Sequence, residues 1–467
     1  MMRDRGPAPL LVVGDCLLDR DIEGRVERLS PDAPVPIVED LNERPRPGGA
    51  GLAACLAAAD GRSVRLITAL ARDPGGEQLR ALLEELGVEV LDLGLECATP
   101  QKVRVRSSGQ TLIRLDQGGQ RPGAVGGMTE EAGRALLESG GVLVSDYGWG
   151  VTAQPELREA LAGAAGRGQL MWDPHPKGSV PVPGARLVKP NRSEAGAGRD
   201  LGDVMSRARA LRRLWRAEGV AVTLGDEGAV LVTGEKTPLM APAPRLSVLD
   251  PCGAGDRFSS AAAGLLADGR SLEEAVTAAV RTASAFVAAG GASAAKTRTG
   301  DAPAATGRRP AAEGMEAALA VAARTRAAGG RVVATGGCFD LLHAGHVSVL
   351  QSARRLGGCL IVLLNSDDSV RRLKGPERPL VTEADRAAVI GALECVDAVA
   401  VFDEPTPEAA LRRLRPDLFA KGGDYTGIEL PEQAVLAEWG AEVVLLPYLE
   451  GRSTSRFIEE MIRSGKS

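Results

Sequence analysis

Short unbroken apolar runs recur along the first 230 residues of this 467-residue chain: LLVVGD, VRLITAL, GVLVSDY, QLMWDP and VAVTLGD. Each has the length of a strand, most end in Asp or Gly, and helical stretches separate them. A strand that is apolar on both faces must be covered on both faces, and strands alternating with helices pair in parallel. The expectation is an α/β fold with a doubly wound sheet. Ligands of such sheets bind beyond the carboxyl ends of the strands. The terminal Asp15, Asp146, Asp173 and Asp226 are therefore expected to point toward a common cleft.

Two stretches depart from this rhythm. PVPIVEDLNERPR is Pro-punctuated and extended, and QKVRVRSSGQTLIRLDQG alternates Lys102, Arg104 and Arg106 with Val103 and Val105. Period-two alternation around SSGQ predicts a hairpin, placed as a small antiparallel lid beside the main sheet; a half-buried surface strand with solvated arginines reads the same way. From about residue 297 the pattern dissolves into TRTGDAPAATGRRPAAEG, a linker composition. The helix MEAALAVAARTRAAGG follows, and then the strand–helix rhythm restarts with RVVATGG, LIVLLNSDD, AVAVFDE and EVVLLPY. A chain this long exceeds one ordinary core. We expect domains at 1–298 and 313–467, joined by a linker at 299–312.

The bulk properties exclude several partners. A net charge of −5 and only 3% aromatic residues argue against a nucleic-acid surface, which needs a basic stripe and stacking platforms. No apolar run approaches the ~18 residues of a membrane helix. The cysteines Cys16, Cys55, Cys97, Cys252, Cys338, Cys359 and Cys395 stand singly, with no C-x-x-C. That pattern predicts reduced thiols and a cytoplasmic protein, not a disulfide frame or a zinc site.

Chemistry concentrates in two places. GGCFDLLHAGH, at 336–346, holds two of the three histidines in the chain. RVVATGG predicts a strand ending in glycines, and HVSVLQSARRLG a helix that starts near His346. Backbone N–H groups at such a start attract an anion. His343 and His346 would flank that anion, and Gly345 allows close approach. Structural hydrogen bonding and metal binding are the alternatives, the latter short of further ligands. The second place is DPCGAGDRFSSAAAGLL, at 250–266, in a chain with no G-x-x-x-x-G-K-[ST]. Gly253, Ala254 and Gly255 would offer amides to a transferring phosphoryl group, and Asp256 would accept a proton from a hydroxyl. An ordinary glycine-rich turn with an early-helix acid fits the segment equally.

The first stretch has companions in order: NSDDSVRRLKG, RPL, KGGDY and GRSTS. Together they resemble the H-x-G-H nucleotidyltransferase superfamily of cytidylyl- and adenylyltransferases. The resemblance implies a Rossmann-like domain in which His343, His346 and Lys374 act on phosphates. Gly336, Phe339, Asn365, Asp367, Arg378, Ser453, Thr454 and Ser455 would meet the nucleotide, and Asp340, Lys421 and Asp424 the substrate.

GAGD likewise stands with VVGDCLLDR, PGGAG at 47–51, KPNRSE at 189–194 and VTLGDEG at 222–228. These resemble the ribokinase-like (PfkB) sugar kinases over about 8–296. By resemblance, Asp15, Asp19, Gly48 and Gly49 hold sugar hydroxyls, while Lys102, Arg104, Arg106 and Lys177 meet a sugar phosphate. Asn191 and Glu194 would organise magnesium and phosphates, with Thr223, Gly225 and Gly228 lining the nucleotide site. His175 is read as structural.

LDR, SPDAPVPIV, LIRLD, LVSDYGWG, RLKG and GALECVDAVAVFDEPTP extend the resemblance along the whole chain. It is similar to the family of bifunctional D-β-D-heptose 7-phosphate kinases/D-β-D-heptose 1-phosphate adenylyltransferases. That similarity implies ATP and Mg2+, small-molecule partners, a homodimer, phosphorylation at C1 and then adenylyl transfer with release of pyrophosphate. Leu52 stands where the family has Asn, and Cys252 where it has Thr. The alternative is a nucleotidyltransferase for another sugar or polyol phosphate, CTP-dependent, beside a drifted or regulatory kinase domain.

Overall fold

The structure, a computed structural model, describes residues 8–30, 35–107, 110–118, 125–234, 237–244, 252–293, 311–422, 430 and 432–447. The chain forms two compact units, Met1–Gly234 with Ala243–Ala302, and Glu235–Pro242 with Pro303–Ser467.

In the first unit the expected apolar runs are strands: β1 (Leu10–Gly14), β4 (Val64–Thr68), β8 (Gly141–Ser145), β9 (Leu170–Asp173) and β11 (Gly219–Thr223). Three more strands, β5 (Val88–Asp92), β10 (Leu187–Val188) and β12 (Gly228–Thr233), join them. Their order is β12-β11-β10-β9-β8-β1-β4-β5. β1 lies inside the sheet and is buried along its whole length. It pairs in parallel with β4, Val12 opposite Leu66, and with β8, Val12 opposite Leu143. Only β12 runs against its neighbour β11. Val12, Leu66, Leu143 and Trp172 are each fully enclosed.

The lid is larger than a hairpin. β6 (Gln101–Ser107) and β7 (Gln110–Gln117) do pair antiparallel. Two further strands complete a sheet of order β3-β2-β6-β7: β2 (Cys16–Leu29) and β3 (Pro36–Gly49). β2 is parallel to β6, so the sheet is mixed and not purely antiparallel. The register sets Asp19 opposite both Arg46 and Lys102. β2 escapes a hydropathy reading because its inward positions, Asp19 and Asp21, are carboxylates neutralised by arginines from neighbouring strands.

The second unit is a parallel sheet of order β14-β17-β16-β15-β18-β19-β13. Its members are β13 (Leu239–Pro242), β14 (Ala312–Glu313), β15 (Val332–Gly337), β16 (Cys359–Asn365), β17 (Ala398–Phe402), β18 (Leu418–Gly422) and β19 (Glu442–Leu446). The helix Met315–Ala327 forms as its apolar spacing predicts, and lays Ala318, Val321 and Ala322 on a core with Ile361, Leu363 and Phe419. The expected linker falls largely outside the described residues. Among the described residues no helix is long and apolar enough to cross a membrane. Among the described residues, all seven cysteines stand outside disulfides.

Gly14 closes β1, and a Cβ there would lie 1.9 Å from the Ser145 carbonyl oxygen. Gly14→Ala must therefore push β1 from β8. A loss of about 1–3 kcal/mol or more is expected in denaturant unfolding, because packed backbone yields little.

Candidate functional site

The helix Ala254–Ala267 begins at Gly253, whose φ of 81° is left-handed and suits glycine. Its first-turn N–H groups have no helical partner, and Gly255 is exposed. Asp256, one residue on, is buried. The Tyr147 hydroxyl donates to Asp256 Oδ1 at 2.9 Å. Burial pushes the Asp256 carboxyl up to about 7, and the Asp173 charge adds to the rise; the Tyr147 hydrogen bond and the Lys189 ammonium act against it. Asp173 Oδ2 accepts from Lys189 Nζ and from Ser259 Oγ, each at 2.7 Å. Lys189 Nζ lies 3.4 Å from where a Gly255 Cβ would stand, so its ammonium borders the helix start.

The loop carrying Tyr147 is fastened by two of the strand-end carboxylates. Asp15 Oδ2 accepts from the Tyr147 and Trp149 N–H groups at 3.0 Å, and Oδ1 from Val151 N–H at 3.1 Å. Asp146 accepts from Gly148 N–H, Ser179 N–H and Thr152 Oγ1. As a sugar ligand, Asp15 would have to share oxygens that already hold the loop. Asp226 is exposed in the turn Gly225–Glu227. Of the four aspartates expected in one cleft, Asp173 is the one beside Asp256.

The lid supplies the other charges. Asp19 pairs with Arg104 at 2.6 Å and Arg46 at 2.9 Å, and Asp21 with Arg46 at 3.1 Å. Lys102 Nζ stands 5.2 Å above the Tyr147 ring and 5.8 Å from that of Trp149, where burial lowers its pKa. Arg106 is buried. A Cβ on Gly48 would come within 2.6 Å of Asp19 Oδ2. At Gly49, with φ 62°, a Cβ would meet the Asp15 carbonyl at 2.5 Å and the Tyr147 ring at 3.3 Å. Gly49 and Lys102 thus border the Tyr147 ring, and Asp19, opposite Lys102 in the register, brings Gly48 and Arg104 beside them. Lys177 is exposed, with its N–H donating to His175 Nδ1. His175 keeps that structural bond and also stacks on Tyr147, ring centroids 5.9 Å apart.

Asn191 and Glu194 hold each other: Asn191 N–H donates to Glu194 Oε2 at 2.7 Å, and Glu194 N–H to Asn191 Oδ1 at 2.9 Å. Asn191 also bridges Thr223, which precedes the left-handed Gly225 and Gly228. Burial raises the Glu194 carboxyl, with Asp173 adding to the rise. Among the described residues no three His, Cys, Asp or Glu side chains cluster as a metal cage. Mg2+ takes one or two carboxylates plus phosphate oxygens, and the half-buried Glu194 suits that mode.

In the second unit His343 caps the helix Ala344–Arg354, its Nδ1 accepting from Gly345 N–H at 3.1 Å. Its ring proton therefore sits on Nε2. The His346 ring stacks on it with centroids 3.9 Å apart, and Phe339 flanks His346 at 5.2 Å. Burial pulls the His346 pKa down to about 4, helped by His343 and the cation of exposed Lys374. The imidazole is thus a neutral donor near pH 7.

The buried Asp340 accepts from Arg378 and from the Leu380 and Val381 N–H groups. Asn365, also buried, donates to Ser369 Oγ. Arg386 donates to the Cys338 and Val381 carbonyls and to Asp367 Oδ1. It thereby bolts the histidine loop to the helix Asp367–Lys374. Lys421 pairs with the buried Glu432. Gly336 faces Phe419. Asp424, Ser453, Thr454 and Ser455 lie outside the described residues.

Sequence reasoning passes over Tyr147, Lys189, Ser259, Arg46 and Arg386. Two of these had a signal: Tyr147 directly follows a strand-end aspartate, and Lys189 opens KPNRSE.

Residues 171–299 match the pfkB family carbohydrate kinases, and residues 334–451 the cytidylyltransferase-like family. A bifunctional protein HldE of Streptomyces coelicolor is 53% identical over 96% of this chain and 96% of its own. The HldE proteins of Azorhizobium caulinodans and Gluconobacter oxydans are 38% and 37% identical, covering 98% and 97% of this chain and 99% and 97% of theirs. Phosphofructokinase-2 of Escherichia coli, a solved structure, overlaps 60% of this chain and 94% of its own at 23% identity and TM-score 0.47.

A carboxyl that titrates near 7 in the fold and near 3.8 when exposed binds its proton more tightly folded, so its ionisation costs stability as pH rises. Asp256→Asn is expected to raise the melting temperature at pH 8, by no more than about 4 kcal/mol of stability. The gain should shrink toward zero near pH 4, and calorimetry across that range checks it.

Proposed function

The chain belongs to the family of bifunctional HldE proteins, and we propose on that footing that it builds an ADP-activated heptose in two steps. A carbohydrate kinase and a nucleotidyltransferase share the polypeptide, and we assign the first step to residues 1–298 and the second to 313–467.

In the first step the C1 hydroxyl of heptose 7-phosphate attacks the γ-phosphorus of ATP. Asp256 takes the hydroxyl proton, the bond to the β,γ-bridging oxygen breaks, and ADP leaves. The amides of Gly253, Ala254 and Gly255 receive the charge on the phosphoryl oxygens. Asp19, Gly48 and Gly49 orient the sugar, and Lys102, Arg104, Arg106 and Lys177 meet its 7-phosphate. Thr223, Gly225 and Gly228 border the nucleotide. Asn191 and Glu194 would hold Mg2+ on its phosphates, and that ion supplies charge neutralisation.

In the second step an oxygen of the new 1-phosphate attacks the α-phosphorus of a second ATP, and pyrophosphate leaves. The attacking oxygen is already ionised, so the task is positioning and charge stabilisation. His343 and His346 donate to the nucleotide phosphates, and Lys374 adds a cation. Gly336, Phe339, Asn365 and Asp367 frame the nucleotide, with Arg378 held beside it by Asp340. Lys421 faces the sugar phosphate. Cysteines outside disulfides suit a reducing cytoplasm, where the enzyme would act as a homodimer.

One observation carries the proposal: two helix starts leave their first N–H groups without helical partners, one with the buried Asp256 in its first turn and the other with the stacked rings of His343 and His346. With heptose 7-phosphate, ATP and Mg2+, mass spectrometry should find ADP-heptose. His343→Ala and His346→Ala should each cut pyrophosphate release on the order of 100-fold and spare ADP formation. A product formed from CTP in preference to ATP, or no ADP and no pyrophosphate, would refute the assignment.

A further inference from the structure

The base assigned above is one of two carboxylates sharing a single ammonium. Asp173, at the end of β9, has two donors, Lys189 Nζ and Ser259 Oγ, both at 2.7 Å. Asp256 takes its hydrogen bond from a neutral phenol, Tyr147. The charged and titratable groups facing Asp256 come from separate elements: Tyr147 from the loop after β8, Asp173 from β9, Lys189 from beyond β10 and Asp19 from β2. Lys102 and His175 stand one layer back, against the Tyr147 ring. A donor to a carboxylate favours its ionised form, and a like charge nearby disfavours it.

We propose that Tyr147 and Asp173 set the protonation of Asp256 from opposite sides, which makes both positioning residues of the kinase step. This rests on the reading of Asp256 as the base. Tyr147 has a second duty in the same geometry. By holding Oδ1 it turns Oδ2 toward the attacking hydroxyl, and the phenol is held by Trp149, His175 and Lys102 around its ring on a backbone that Asp15 grips. The Asp173–Lys189 pair keeps the ammonium from neutralising Asp256 fully, so burial leaves that carboxyl poised to exchange a proton near neutrality.

The two halves of the proposal predict shifts of opposite sign. ADP formation from heptose 7-phosphate is followed against pH with the full-length chain. Its acid limb in the unsubstituted enzyme should fall near pH 7. In Tyr147→Phe a stabiliser of the ionised base is lost, so the limb should move up by about one pH unit, and the rate at pH 7 should fall about fivefold and recover in alkali. In Asp173→Asn the repelling charge is gone and Lys189 is released toward Asp256, so the limb should move down by a similar amount. Melting curves and pyrophosphate release from supplied sugar 1-phosphate report that each variant is folded. Should one variant fail to fold, the shift in the other decides. A loss that is equal at every pH, or two shifts in the same direction, overturns the proposal. An active Asp256→Asn enzyme, or no acid limb in the unsubstituted one, overturns instead the reading of Asp256 as the base.

Discussion

One buried carboxylate fastens the loop on which the Tyr147–Asp256 contact depends. Asp15 stands just past the strand β1 and gathers three backbone N–H groups of the 147–151 loop. Burial of an ion with so many donors is tolerable, whereas loss of the ion would leave the donors orphaned. The grip places Tyr147 over Asp256, under Lys102 and beside His175. It also explains Gly49, since a side chain there would strike the Asp15 carbonyl and the Tyr147 ring. Sheet, loop, lid and base are thereby linked through one side chain.

The two units solve a shared problem with opposite electrostatics. In the proposed reactions each receives phosphate at a helix start, because that is where backbone donors lack partners. The first sets Asp173, Lys189 and Asp256 about the helix start, where burial raises the Asp256 carboxyl. The second uses stacked imidazoles, with His346 uncharged near neutrality. The difference follows the chemistry: a sugar hydroxyl must lose a proton, whereas a phosphate nucleophile has none to lose.

Much of this was legible in the chain alone. The main strands are apolar on both faces, and such runs announce a parallel sheet in either unit. The helix starts at Gly253 and His343 were marked by glycines and by the periodic residues that follow. What remained hidden depends on partners distant in sequence. β2 reads as a charged loop until Arg46 and Arg104 are placed against Asp19 and Asp21. Asp15 and Asp146 stand at strand ends, and only the returning loop shows that they also hold backbone. Arg386 is an ordinary helix residue in the sequence, yet its guanidinium finds three acceptors from three segments. A phenol becomes part of a proton balance only when the fold sets it 2.9 Å from a carboxylate.

Burial lifts the Asp256 carboxyl to about 7 and pulls the His346 imidazole down to about 4. Under the roles proposed for the two residues, a modest acidification protonates the first site and leaves the charge of the second unchanged, so acid would restrain entry to the route and spare its second half.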